Sequence, residues 1–102
     1  MSKKYELYIG LKDQNTYIEK FSAEEFAKIL SAHCSKKKIG FSLTTQLGGY
    51  SHNKGYVTET SLRITLFGLE EEKVRELGQT LKEIVNTDTI MITSEDCEYG
   101  FE

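Results

Sequence analysis

Tyr5, Leu7, Ile9 and Leu11 alternate with Glu6, Tyr8, Gly10 and Lys12, the period of a strand with one face buried. A polar run, Lys12 to Thr16, leaves this first strand, and Tyr17-Ile18 add a short extension before the period changes. Phe26, Ile29, Leu30, His33 and Cys34 then fall on one face of a helix. Its start is well punctuated. Ser22 can cap the first turn while Glu25, three residues on, reaches back to complete a capping box, and Phe21 and Phe26 supply a hydrophobic staple. Lys36, Lys37 and Lys38 suit the negative end of the helix, and Gly40 is the expected stop.

Phe41, Leu43, Thr45 and Leu47 open a second alternating segment, which runs into Gly48-Gly49-Tyr50-Ser51-His52-Asn53-Lys54-Gly55. Its three glycines and polar residues predict a loop with a mobile tip, longer than a two-residue hairpin turn. Tyr56 to Phe67 form a third strand, with Leu62, Ile64 and Leu66 on one face and Ser61, Arg63 and Thr65 on the other. Gly68 ends it, and Glu70-Glu71-Glu72 place negative charge at the positive end of a second helix striped by Val74, Leu77, Leu81, Ile84 and Val85. Gly78 lies on that stripe, which predicts close contact with the sheet. Asn86-Thr87-Asp88 turns the chain into a fourth strand, Thr89 to Thr93, followed by an acidic tail in which Cys97, Tyr99 and Phe101 alternate.

The order βαββαβ predicts an α+β fold, the ferredoxin-like plait: a four-stranded antiparallel sheet with two helices on one face. The first and third strands are then central neighbours, so a Glu6–Arg63 pair is expected on the face the helices leave open. That face carries Glu6, Tyr8, Ser42, Thr44, Gln46, Ser61, Arg63, Thr65, Met91 and Thr93. An amphipathic face of this kind on a small domain points to a subunit interface, hence a homo-oligomer, dimer or trimer.

With 102 residues, residues 1–102 are read as a single domain. Hydrophobic residues make up 38%, but no apolar run approaches the roughly 20 residues of a membrane span, so no membrane partner is expected. A net charge of −3 argues against a strongly basic nucleic-acid binder. The third strand also lacks the aromatic and glycine pattern of an RNA-recognition strand. Charge is polarised: residues 1–40 carry eight basic and five acidic side chains, residues 68–102 three and ten. Cys34 and Cys97 are widely separated and no secretory signal precedes the first strand, so the thiols read as reduced and the compartment as cytoplasmic.

No high-specificity catalytic or metal signature occurs. Gly48-Gly49 is followed by Tyr50-Ser51 rather than a P-loop or dinucleotide pattern, and no short His or Cys ligand pair supports zinc. No catalytic residue, metal ligand or cofactor is therefore assigned. His33 reads as an edge-packed core histidine. The candidates for ligand or partner contact are Tyr8, Tyr50, His52, Lys54, Glu59 and Arg63, which the plait gathers towards the open face and the 48–55 loop.

With its βαββαβ order and a loop between the second and third strands, the chain resembles small PII-like regulatory proteins over residues 4–93. That resemblance implies assembly into trimers, small-molecule ligands in clefts between subunits, and ligand or partner contact by Gly48 to Gly55. Asn86-Thr87-Asp88-Thr89 stands where nucleotide-binding members carry a glycine- and lysine-containing loop, so nucleotide binding is not implied. The segment from Gly40 to Ser61 is also similar to a small bacterial plait family of unassigned function. The leading expectation is a non-catalytic oligomeric binding or regulatory module for a small molecule or a protein. The alternatives are a small-substrate enzyme with His52 as acid or base, and a mobile-element-type protein inhibitor.

Overall fold

The computed structural model describes residues 3–53 and 55–100, with His52 described by its backbone alone. The elements are β1 (Lys3–Gly10), α1 (Ala23–Lys37), β2 (Ser42–His52), β3 (Gly55–Phe67), α2 (Glu71–Val85) and β4 (Met91–Asp96). They form one antiparallel four-stranded sheet in the order β2-β3-β1-β4, the ferredoxin-like plait.

Alternation in β1 and β3 becomes burial on one side only. Tyr5, Leu7 and Ile9 of β1 and Leu62, Ile64 and Leu66 of β3 join Phe26, Leu30 and Cys34 of α1 and Val74, Leu77, Leu81 and Val85 of α2 in a single core. Both helices thus cover the same face. On the other face the register sets Glu6 opposite Thr65 and Thr93, and Tyr8 opposite Arg63 and Met91. The expected ion pair forms there, with Arg63 Nε 3.5 Å from Glu6 Oε2. Glu6 also accepts from the hydroxyls of Tyr8 at 3.2 Å and Thr65 at 3.3 Å.

At the start of α1 both arms of the capping box are made: Glu25 N–H donates to Ser22 Oγ at 3.1 Å and Ser22 N–H to Glu25 Oε1 at 3.0 Å. The helix stops two residues earlier than glycine punctuation suggests. Lys38, at φ 58°, takes the left-handed cap and directs its N–H to the carbonyls of Cys34 and Ser35, so Gly40 is not the stop. Gly78 is buried, and a Cβ there would meet Ile92 and Ile90 at 3.7–4.0 Å, ordinary contact, so the close approach to the sheet is real. The fourth strand starts at Met91 rather than Thr89. The tail is not strand beyond Asp96; Tyr99 packs edge-on against Phe67 with ring centroids 5.1 Å apart, and Phe101 lies outside the described residues.

The largest correction concerns the 48–55 segment, which is not a loop. Pairing runs on through Gly48↔Glu59, Gly49↔Thr58, Tyr50↔Val57 and Ser51↔Tyr56 to His52↔Gly55. Gly48 and Gly49 are there for close approach, not for turning. A Cβ on Gly49 would collide with the Tyr56 ring, and one on Gly48 would lie 3.0 Å from Ser61 Cβ. Only Gly55 of the three needs a glycine backbone, at φ 124°, where the chain re-enters β3. The hairpin therefore extends as an arm: 13 residues of β3 at about 3.3 Å each approach the molecule's 47 Å long axis.

Candidate functional site

At the base of this arm, on the open face, lies a cleft of about 600 Å³, within the size range of small-molecule sites. Its floor is sheet: Tyr8 and Gly10 from β1, Gly48 and Tyr50 from β2, Glu59 and Ser61 from β3. One wall is the β1–α1 connection with Lys12, Asp13, Gln14 and Tyr17; the other is the α2–β4 connection with Thr87, Asp88 and Thr89, continued by Met91.

Glu59 is built in. Gly48 is its cross-strand partner, and its carboxylate lies over Gly10, where any side chain would collide with it. Lys12 N–H donates to Glu59 Oε2 at 3.1 Å, and Leu11 N–H to the Thr60 carbonyl at 3.0 Å. The chain leaving β1 is thereby held beside β3. Glu19 closes the same connection by accepting from Thr60 N–H at 3.3 Å and Thr60 Oγ1 at 2.8 Å.

The two walls are joined to each other. Asp13 Oδ1 accepts from the N–H groups of Asn15 (2.8 Å) and Thr16 (3.1 Å), an Asx turn, while Asn86 Nδ2 donates to Asp13 Oδ2 at 3.1 Å. Gln14 answers with its N–H to the Asn86 carbonyl at 2.8 Å and its side-chain amide to Asn86 Oδ1 at 3.1 Å. Asn86 can serve both because it caps α2 in the left-handed conformation, φ 60°. The Asn86 amide, followed by the Asn15 N–H, holds the Asp13 carboxyl below the usual carboxylate range, so it stays charged. Tyr50 is pushed the other way, by burial first and then by the charge of Glu59, so its hydroxyl stays protonated at neutral pH. Glu59, Asp13 and Asp88 against Lys12 make the cleft acidic.

Of the residues singled out from sequence, Tyr8, Tyr50 and Glu59 line this cleft together. Arg63 does not; it sits on the same face beyond Ser61, paired with Glu6. The His52 side chain and Lys54 lie outside the described residues. Sequence reasoning missed Asp13, Tyr17 and Asp88, although the Asp-x-Asn-Thr spelling of the Asx turn is visible in residues 13–16 only as a polar exit. Among the described residues no three His, Cys, Asp or Glu side chains cluster as a metal site, and no helix is long and apolar enough to cross a membrane.

No family model matches the sequence, and no curated protein matches it significantly. Solved structures do. A phage SAM lyase in complex with S-methyl-5'-thioadenosine superposes with a TM-score of 0.74 at 24% identity, over 93% of this chain and 81% of that one. A phage SAM lyase in its apo state gives 0.75 at 24% identity, over 91% and 78%. The periplasmic divalent cation tolerance protein CutA from Archaeoglobus fulgidus gives 0.64 at 15% identity, over 100% and 89%. At these identities the likeness is one of fold, the ferredoxin-like plait.

Proposed function

We propose that this protein is an oligomeric small-molecule binding module whose ligand is a cationic nucleoside of the S-adenosylmethionine kind, held in the cleft at the base of the hairpin arm. The observation that carries this reading is the convergence of Tyr8, Tyr50 and Glu59, with Asp13 and Asp88, on one cleft of about 600 Å³. An acidic site with tyrosine rings suits a ligand that is both flat and positively charged: the purine stacks on an aromatic face and a sulfonium is attracted to carboxylate and ring alike. The fold likeness to a SAM lyase supports the ligand class. Glu59, oriented by the Lys12 N–H, is the residue we assign to the charge; Tyr8 and Tyr50 are assigned to the rings. Arg63, His52 and Lys54 are left to contacts with a second copy or a partner. The open sheet face carries the assembly, and the unpaired thiols of Cys34 and Cys97 support a reducing, cytoplasmic setting.

Isothermal titration with S-adenosylmethionine and with the neutral S-methyl-5'-thioadenosine tests the assignment. The charged ligand binds about tenfold or more tightly, and Glu59→Gln removes the preference. Equal affinities in the native protein overturn the role of Glu59, and no binding of either at about millimolar concentration overturns the ligand class. A second reading, turnover rather than binding, is favoured by the lyase among the fold neighbours. Chromatographic appearance of S-methyl-5'-thioadenosine from S-adenosylmethionine, lost in Glu59→Gln, decides for it. Light scattering on the eluting peak reads the oligomer, and a strict monomer at high concentration overturns that part.

A further inference from the structure

The other side of the molecule carries a second concavity of opposite character. It lies between the end of α1 and the flank of α2, measures about 500 Å³, and has an apolar floor of Ile39, Leu69 and Leu77. Lys37, Lys38 and Lys73 stand around it with His33 at its edge. Glu76 is its one acidic lining residue among those described, and that carboxylate is already paired with Lys73 at 3.7 Å.

This arrangement follows from the fold. α1 and α2 run antiparallel on the sheet, so the last turn of α1, where Lys36 and Lys37 meet the carbonyl end, lies beside the first turn of α2. Lys38, in the left-handed cap, carries a third ammonium round the corner into the groove instead of along the helix. Leu69 precedes the α2 N-cap, Glu70, whose side chain makes no capping hydrogen bond. The positive end of α2 is met by its own carboxylates, Glu70, Glu71 and Glu72, so the positive character of the groove comes from its lining lysines.

We propose that this groove is a binding site for a small organic anion with an apolar body, a phosphate monoester being the best match. Three ammonium groups over one paired carboxylate leave an excess of about two positive charges, which a dianion neutralises. The apolar floor supplies the contact area that an inorganic ion cannot use. The site is independent of the acidic cleft, which lies on the opposite face of the sheet, and its ligand is of the opposite sign.

Amide NMR titration of the full chain with phenyl phosphate, inorganic phosphate and phenol tests it. Phenyl phosphate is expected to shift residues 37–39, 69, 73 and 76–80 together with a single midpoint. Phenol and inorganic phosphate each bind about tenfold or more weakly. A Lys37→Ala, Lys73→Ala double variant, both residues being exposed, keeps its spectrum and loses phenyl phosphate about tenfold or more. Shifts of equal size around Lys3, Lys12 and Lys20 overturn the proposal, because they show a general attraction of lysines for phosphate. So does an unchanged midpoint in the double variant, or the absence of saturable shifts at about 10 mM ligand.

Discussion

The β2–β3 ladder is one continuous structure with two different fates. From Ser42 to Gln46 and from Phe67 back to Ser61 it is backed by helices, and Leu62, Ile64 and Leu66 are fully buried. Beyond Thr60 the same alternation continues onto the arm with nothing stacked on it: Leu47 is 81% exposed and Tyr56 71% exposed, although both lie on the helix side of the sheet. Hydrogen-bond pairing is equal along the ladder; burial is not. A strand pattern states which residues share a face, and only the neighbouring layer decides whether that face is a core.

The sharpest contrast comes from deleting apolar atoms at each end. Ile64→Ala, in the backed half, is expected to lower unfolding free energy by about 2–5 kcal/mol in denaturant titration. A loss under about 1 kcal/mol would break the comparison. Ser22→Ala removes one arm of the box that starts the covering helix, with an expected cost of about 1 kcal/mol. Gly10→Ala tests the boundary, since the new methyl must displace the Glu59 carboxylate, the mobile end of a flexible side chain. Stability should fall by less than about 1 kcal/mol, whereas, with the proposed ligand in the cleft, affinity for S-adenosylmethionine should fall about tenfold. Leu47→Ser on the arm should leave stability within about 0.5 kcal/mol of the native protein. Acid adds a smaller test of the same covering helix. Glu25's carboxyl is held below its ordinary 4.5, first by the Ser22 N–H and then by the Ser22 hydroxyl. Its contribution is present above pH 4.5 and disappears as pH falls through the lowered folded value, so Glu25→Gln should flatten that limb of the acid titration. Hydrogen exchange at residues 62–66 should be slower than at 50–52 and 55–56, since pairing alone leaves the arm free to open.

Much of this was legible from spacing. The βαββαβ order, the capping box and the Glu6–Arg63 pair each depend on local period or on strands whose adjacency the topology dictates. Gly48 and Gly49 misled because glycine signals either a turn or a close approach, and only the partner strand distinguishes them: here Ser61, Glu59 and Tyr56 occupy the missing side-chain space. Lys38 was invisible as a cap because lysine carries no left-handed preference. The cleft was half legible. Tyr8, Tyr50 and Glu59 lie on three neighbouring strands and could be grouped by face, whereas Asp13, Tyr17 and Asp88 belong to connections, whose path no periodicity describes.

The clamp between Asp13 and Asn86 spans 73 positions of the chain. During synthesis β1, α1 and the hairpin leave the ribosome first, and Asp13 then has no Asn86 to hold it until the end of α2 has followed. Closing so long a loop is entropically costly, and the bonds that reward closure form only when both ends of the chain are home. The link between the two walls is thus a late contact, while the first wall has anchors of its own on β3. A chain ending before Asn86 can still make the Lys12–Glu59 and Glu19–Thr60 bonds that hold the first wall to β3, but it lacks the second wall and the clamp that ties the two together.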